Sequence, residues 1–295
     1  MNEPPFSRKT LMIVLFISLS VVAYWSALSL ATRRSFIAFC DVGQGDGAYV
    51  RIENKIDILI DAGPDRRILE CLGRHMPFYD KTIEYVFLSH PQKDHAGGIV
   101  EVLRHYQIKN IYLPAIDNKA RFFQEIKLQL LKNNVRIFYP DEGDMIDFSG
   151  GYIYFLAPNR DFVFSHSLEQ PGSQFRLTRD NLNDFSLIFN LKIHNQSILF
   201  TGDIGPDRLF QITHAGFGLL HKSLFKADIL KVPHHGSKNG LTAAFLKLVD
   251  PRVALISVGR HNSYHHPSAE IIALLRSLNI EIKRTDEKGT IVFPL

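Results

Sequence analysis

The sequence predicts an α/β fold of four layers, two sheets packed face to face between two layers of helices, preceded by one transmembrane helix. Three observations predict it. Beyond Arg34, strand-like and helix-like stretches alternate in two successive halves, the pattern of a layered α/β sandwich. Apolar residues make up 45% of the 295, enough for a sizeable core. From Thr10 to Thr32 no residue is charged.

That uncharged run, LMIVLFISLSVVAYWSALSLA, has the length for a helix to cross a bilayer, which takes about 20 residues. Tyr24 and Trp25 suit a membrane interface. A cleaved signal peptide and a buried helix are the competing readings. The length of the run and the Tyr-Trp pair late in it favour the anchor. Residues 1–34, with the helix at about 10–32, are thus set apart from a domain at 35–295. Arg8 and Lys9 precede the run and Arg33 and Arg34 follow it, so basic charge orients it poorly. The expectation is a single-pass membrane protein, with the membrane as a partner and the domain outside the cytoplasm.

The domain itself alternates. SFIAFCDV is a buried strand, and GAYVRI with KIDILIDAG forms a hairpin around Glu53-Asn54. Asp65 to His75 is helical. The strand YVFLSH runs into the loop PQKDHAGG, and Ile99 to Tyr106 is a helix. NIYLP is a strand and Asn118 to Asn133 a long amphipathic helix. VRIFYP, DMIDF and GYIYFLAP follow as strands. Residues 159–181, polar and holding Pro171-Gly172, are a loop. FSLIFNLKI and SILFTGD make a second hairpin, turning at His194-Asn195-Gln196. ADILKVP and VALISV are strands, Leu241 to Leu248 and Pro267 to Leu278 helices, and IKRTD and GTIVF close the chain.

Net charge is +4 with histidine neutral. Setting aside Arg8, Lys9, Arg33, Arg34 and Glu3 leaves the domain almost neutral, so overall charge makes no case for nucleic acid; only a local patch can. Cys40 and Cys71 are too few for a disulfide framework or a structural zinc cluster. They can pair in an oxidising compartment, but the sequence does not fix this.

The thirteen histidines carry more information. His90-Pro91-Gln92-Lys93-Asp94-His95 ends a strand, Asp203 ends another, and His234-His235-Gly236 a third. Histidine and aspartate are ligands for zinc and other borderline metals. Sites on open α/β sheets collect at such strand ends. A single histidine or aspartate after a strand is more often a turn former or a cap. That plain reading suffices for His75, His105, His166, His194, His214 and His221. Three clusters at three strand ends make coincidence a weak account.

The series HxxxDH…TGD…HHG resembles the metallo-β-lactamase superfamily, whose usual loop is HxHxDH. More narrowly, DVGQGD (Asp41 to Asp46), LIDAG, SHPQKDHAGG, LFTGD, LKVPHHGS, ISVGRHNSYHHP and RTDEKG resemble, in order, the C-terminal hydrolase-like domain of ComEC-type DNA-uptake proteins. The resemblance implies the αββα metallo-β-lactamase sandwich. It also implies zinc or manganese, one or two ions per chain. His90 would bind the first metal, Asp94 and His95 the second, Asp203 both, and His235 the last position. His234 would touch substrate or support a ligand. His266 would contact a phosphate or protonate a leaving group, although a plain flank for the following helix explains it as well. Asp94, or Asp203, would orient the attacking water.

The chain departs from the pattern at Gln92, which is neutral and a poor zinc ligand where a charged donor or histidine is usual. The ligand between DH and TGD falls nearest to Asn183-Asp184, with His166 left in a loop. The Asp94, His95, Asp203 and His235 group is therefore the stronger site, and the His90 position the weaker. Lys93, Lys231, Lys238 and Arg260 are compatible with a phosphate substrate, though each alone is an ordinary solvated side chain. By resemblance the chain is a metal-dependent phosphodiesterase or nuclease. Single-stranded DNA would be its substrate and a DNA-translocation channel its partner. The alternatives are a non-catalytic assembly module and a hydrolase of small-molecule or cell-wall phosphoesters.

Overall fold

The computed structural model describes residues 7–31, 35–214, 222–238 and 240–295, the side chains of 25–31 excepted. The strands are β1 (Phe36–Phe39), β2 (Gly47–Ile52), β3 (Ile56–Ala62), β4 (Thr82–Phe87), β5 (Gln107–Tyr112), β6 (Arg136–Phe138) and β7 (Met145–Phe148), then β8 (Gly151–Ala157), β9 (Ile188–Ile193), β10 (Gln196–Phe200), β11 (Ile229–Lys231), β12 (Val253–Ile256), β13 (Glu281–Arg284) and β14 (Ile291–Pro294). They form two seven-stranded sheets, ordered β14-β1-β2-β3-β4-β5-β6 and β13-β12-β11-β10-β9-β8-β7. Each is mixed. In the first, β3 through β6 run parallel; in the second, β10 through β13 do. The remaining pairs are antiparallel, as the expected hairpins require.

Period-two alternation explains how the sheets meet. Ile37, Phe39, Val50, Ile58 and Ile60 of the first sheet face Ile153, Phe155, Phe189, Leu191 and Ile198 of the second. Phe189 is fully buried there, its ring 5.3 Å from Phe87 and 5.0 Å from Phe200. Truncating such a ring costs about 3–5 kcal/mol. The opposite faces carry the helices. Ile68–His75, Ile99–His105 and Arg121–Lys132 cover the first sheet; Pro206–His214, Ala243–Val249 and Ala269–Ser277 cover the second. This is the four-layer sandwich the alternation predicts.

Local signals place the turns. Glu53 and Asn54 both take positive φ (49° and 58°), which closes the β2–β3 hairpin with the twist the strands need. The segment read as a loop at 159–181 instead begins with a helix, Arg160–Ser165, capped by Asn159, whose Oδ1 accepts from Phe162 N at 2.8 Å. Cys40 and Cys71 form a disulfide, Cα–Cα 5.7 Å, tying the end of β1 to the helix Ile68–His75.

At the N-terminus the backbone is helical over Arg8–Ala31, and every side chain described in it is exposed. Among the described residues, no helix is long and apolar enough to cross a membrane. This overturns the expected transmembrane helix and the single-pass membrane placement that rested on it. The flanking Arg33 and Arg34, the Trp25 side chain and His221 lie outside the described residues.

Candidate metal centre

The parallel strands β4, β10, β11 and β12 end at one edge of the sandwich, and each delivers polar residues there. After β4 come Ser89 and His90, then a turn of helix, Lys93–Ala96, carrying Asp94 and His95. The Asp94 carbonyl accepts from Asp46 N at 3.1 Å, which draws the DVGQGD loop against it. A Cβ on Gly45 would lie 2.1 Å from that carbonyl oxygen, so only glycine fits. Asp203 follows β10. Past β11, His234, His235 and Gly236 all have positive φ (50°, 53° and 79°), a strained run that turns His235 back into the site.

One ligand atom from each of Asp94, His95, Asp203 and His235 lies within 4.8 Å of the others. His95 Nε2 is 3.2 Å from Asp203 Oδ1, and His235 Nε2 is 3.4 Å from both Asp94 Oδ2 and Asp203 Oδ2. The far nitrogens are held from behind. His95 Nδ1 meets Asp61 Oδ2 at 2.8 Å, and His235 Nδ1 meets the Ser257 carbonyl at 2.9 Å. Such partners orient a ring and leave its Nε2 to face a cation.

The electrostatics agree. Burial opposes charge on both rings, but Asp203 and the other carboxylates outweigh it. His95 is held well above the ordinary histidine range and His235 is pushed up to about 9. Burial works to raise Asp94 and Asp203, yet the two histidines hold both below the usual carboxylate range. A field that draws protons this strongly also draws a cation, which must compete with them.

His90 stands beside this group, its ring 4.2 Å from that of His95, but is not one of the four. It is fully buried, its Nδ1 3.0 Å from Ser89 Oγ, and burial pushes it down to about 3, so it is neutral. Gln92 Nε2 donates to Asn183 Oδ1. Gln92, where the sequence departs from the family pattern, thus meets Asn183, at the position nearest the ligand expected between DH and TGD, and the two side chains satisfy one another. Asp184 is raised by burial, against the nearby positive charge of Arg208. His234 and His266 are half-buried, with rings 6.0 Å apart. His105, His166 and His214 hydrogen-bond the carbonyl four residues before them, as plain helix-end residues do.

Two residues, Asp61 and Asp46, escaped the sequence reading, and a third, Lys231, was read differently. Asp61 accepts from Ser89 N at 2.7 Å and Ser89 Oγ at 2.8 Å besides holding His95. Asp46 lies 3.3 Å from His235 Nδ1 and 3.7 Å from His95 Nδ1. Lys231, expected to be solvated, is instead buried at 3% exposure, paired with Asp46 and 3.7 Å from Asp203 Oδ1. The signal was present: charges inside the apolar strands KIDILIDAG and ADILKVP need buried partners. Lys93, Lys238 and Arg260 are exposed, as expected.

A metal fits this donor set. His90 Nε2, His95 Nε2, Asp203 Oδ1 and Asp46 Oδ1 are buried without a hydrogen-bond partner, which is unusual for interior polar atoms. Two imidazole nitrogens and two carboxylates suit zinc or manganese.

Comparison with known proteins agrees with the geometry. The model of the metallo-beta-lactamase superfamily matches residues 41–260. The chain is 26% identical over 270 residues to ComE operon protein 3 of Bacillus subtilis, covering 86% of this chain and 32% of that protein. It is 26% identical over 265 residues to competence protein ComA of Neisseria gonorrhoeae, covering 86% and 31%. It thus spans about a third of the length of these relatives. The metallo-beta-lactamase fold protein YhfI from Bacillus subtilis superposes with a TM-score of 0.55 at 13% identity, covering 88% of this chain and 100% of that one. With the fold, the strand-end ligands and the match over residues 41–260 in agreement, the chain belongs to the metallo-β-lactamase superfamily.

Proposed function

We propose that the chain is a metal-dependent hydrolase of phosphodiesters, with single-stranded DNA as substrate. The observation that carries this is the convergence of Asp94, His95, Asp203 and His235 on one point, with orphaned buried ligand atoms around it. A divalent cation bound there supplies a Lewis acid and a nucleophile drawn from water at neutral pH. The chain's own residues do the rest. Asp94, about a third exposed, is the ligand open to solvent and orients the attacking water. Asp203 and Asp46 keep His235 turned inward. His234 and His266, neutral because burial lowers both, sit at the rim where a phosphate oxygen or leaving group would lie. The likeness to competence proteins supports DNA as the polymer and a DNA-translocation channel as the working partner.

The Gln92–Asn183 bond favours a second reading, a non-catalytic module, because it closes one ligand corner with neutral groups. Purified full-length chain, assayed for bound metal and for cleavage of single-stranded DNA with manganese, separates the two. The hydrolase holds about one ion per chain, and Asp94→Ala lowers cleavage by roughly 100-fold or more. A folded chain with metal and no cleavage is the module. Cleavage of small phosphoesters alone moves the substrate to that class.

A further inference from the structure

Two buried acidic groups share His95. One is the four-residue group above. The other is Asp46, Asp61 and His95, whose ligand atoms also lie within 4.8 Å of one another. Lys231 sits between them, in contact with a carboxylate of each. Its Nζ pairs with Asp46, donates to the Gly202 carbonyl at 3.2 Å and lies 3.7 Å from Asp203 Oδ1. Asp46 is 6% exposed, and its Oδ1 accepts no hydrogen bond. His235 Nδ1 approaches that oxygen but directs its proton to Ser257.

We propose that Lys231 is the resident cation of the second acidic group, and that its ammonium limits this chain to one divalent ion. The inference rests on the metal-dependent reading above. A lysine ammonium is a compact point charge with three donors; here it pairs with Asp46, donates to the Gly202 carbonyl and lies within ion-pair distance of Asp203. Inside a buried cluster a fixed positive charge repels a second divalent ion strongly, because little solvent screens it. Beside His90, the other place for a second ion, the Gln92–Asn183 bond offers no anionic donor. One divalent ion plus one ammonium then balances carboxylates that would otherwise invite two ions. Lys231 is a positioning residue, since it acts through Asp46 and Asp203.

Metal content decides the matter independently of activity. Full-length wild type, Lys231→Met and Lys231→Met/Asp46→Asn are equilibrated with manganese and counted by elemental analysis. The expected ratios are about one, two and one ions per chain. Breaking a buried ion pair destabilises a fold, so Lys231→Met is also melted with and without manganese. Recovery of its stability by manganese supports the proposal, because the ion then replaces the ammonium. A Lys231→Met chain that stays unfolded in manganese overturns it. So does a ratio of one in that variant or two in the wild type, and both leave the hydrolase reading standing. No metal in any of the three removes that reading and this inference together.

Discussion

Asp57, in β3, is a buried carboxylate away from the metal centre, and its titration is readable. It is 1% exposed, bonded to Arg51 Nη1 at 2.7 Å and to the Tyr49 hydroxyl, with Asp80 and Glu84 nearby and Lys109 paired to Glu84. Burial, the largest influence, pushes it up to about 6 against Arg51 and Tyr49. A carboxyl raised in the folded state stabilises most below its unfolded value near 4, and that contribution is lost as pH rises through 6. The melting difference between wild type and Asp57→Asn should therefore shift against the wild type between pH 4 and 7, by on the order of 2–3 kcal/mol. A difference that stays constant over that range would refute the assignment. At this scale the sequence was partly legible. Asp94, His95, Asp203 and His235, which converge, are consecutive or strand-terminal, and motif spacing exposes them. Asp46 and Asp61 were missed, and Lys231 was read as solvated, because their roles depend on which strands become neighbours, and a one-dimensional pattern does not carry that.

Among the elements, the strands were the most legible, because a strand buried on both faces leaves an unbroken apolar run. Two short helices were not. Pro206–His214 starts with Pro and Asp, an available signal that went unread. Arg160–Ser165 was hidden in a polar stretch, where Phe162, Val163 and Phe164 were its apolar cue. The disulfide joins two elements the sequence could not pair, since spacing alone does not bring Cys40 beside Cys71. It closes a separation of 31 residues, for which restricted unfolded-state freedom contributes about 3–4 kcal/mol. Cys40→Ser/Cys71→Ser should accordingly melt roughly 5–10 °C lower than wild type. Equal melting of the two in non-reducing buffer would show that the tie contributes nothing.

Across the whole molecule, the layered architecture was legible from the alternation of elements, whereas the N-terminal run was not: apolar length in the sequence did not become a membrane span among the described residues. The two sheets repeat one plan, and each brings the ends of its parallel strands to the same edge. Asp94 and His95 come from the first half; Asp203 and His235 come from the second. A cation bound by all four is a buckle between halves that also meet through side-chain packing and through bonds such as Gln92–Asn183 and Leu187 N to the Ser89 carbonyl. Ligand at about 100 times its dissociation constant adds about 2.7 kcal/mol to stability. Saturating manganese should thus raise the melting temperature by several degrees in one transition, and Asp94→Ala and Asp203→Asn, one from each half, should each abolish the rise. A rise that survives either variant would mean the ion is held by one half alone. With the buckle shared, a chain in which either half has misfolded cannot fasten an ion, so assembly of the reactive centre doubles as a check that both halves are folded.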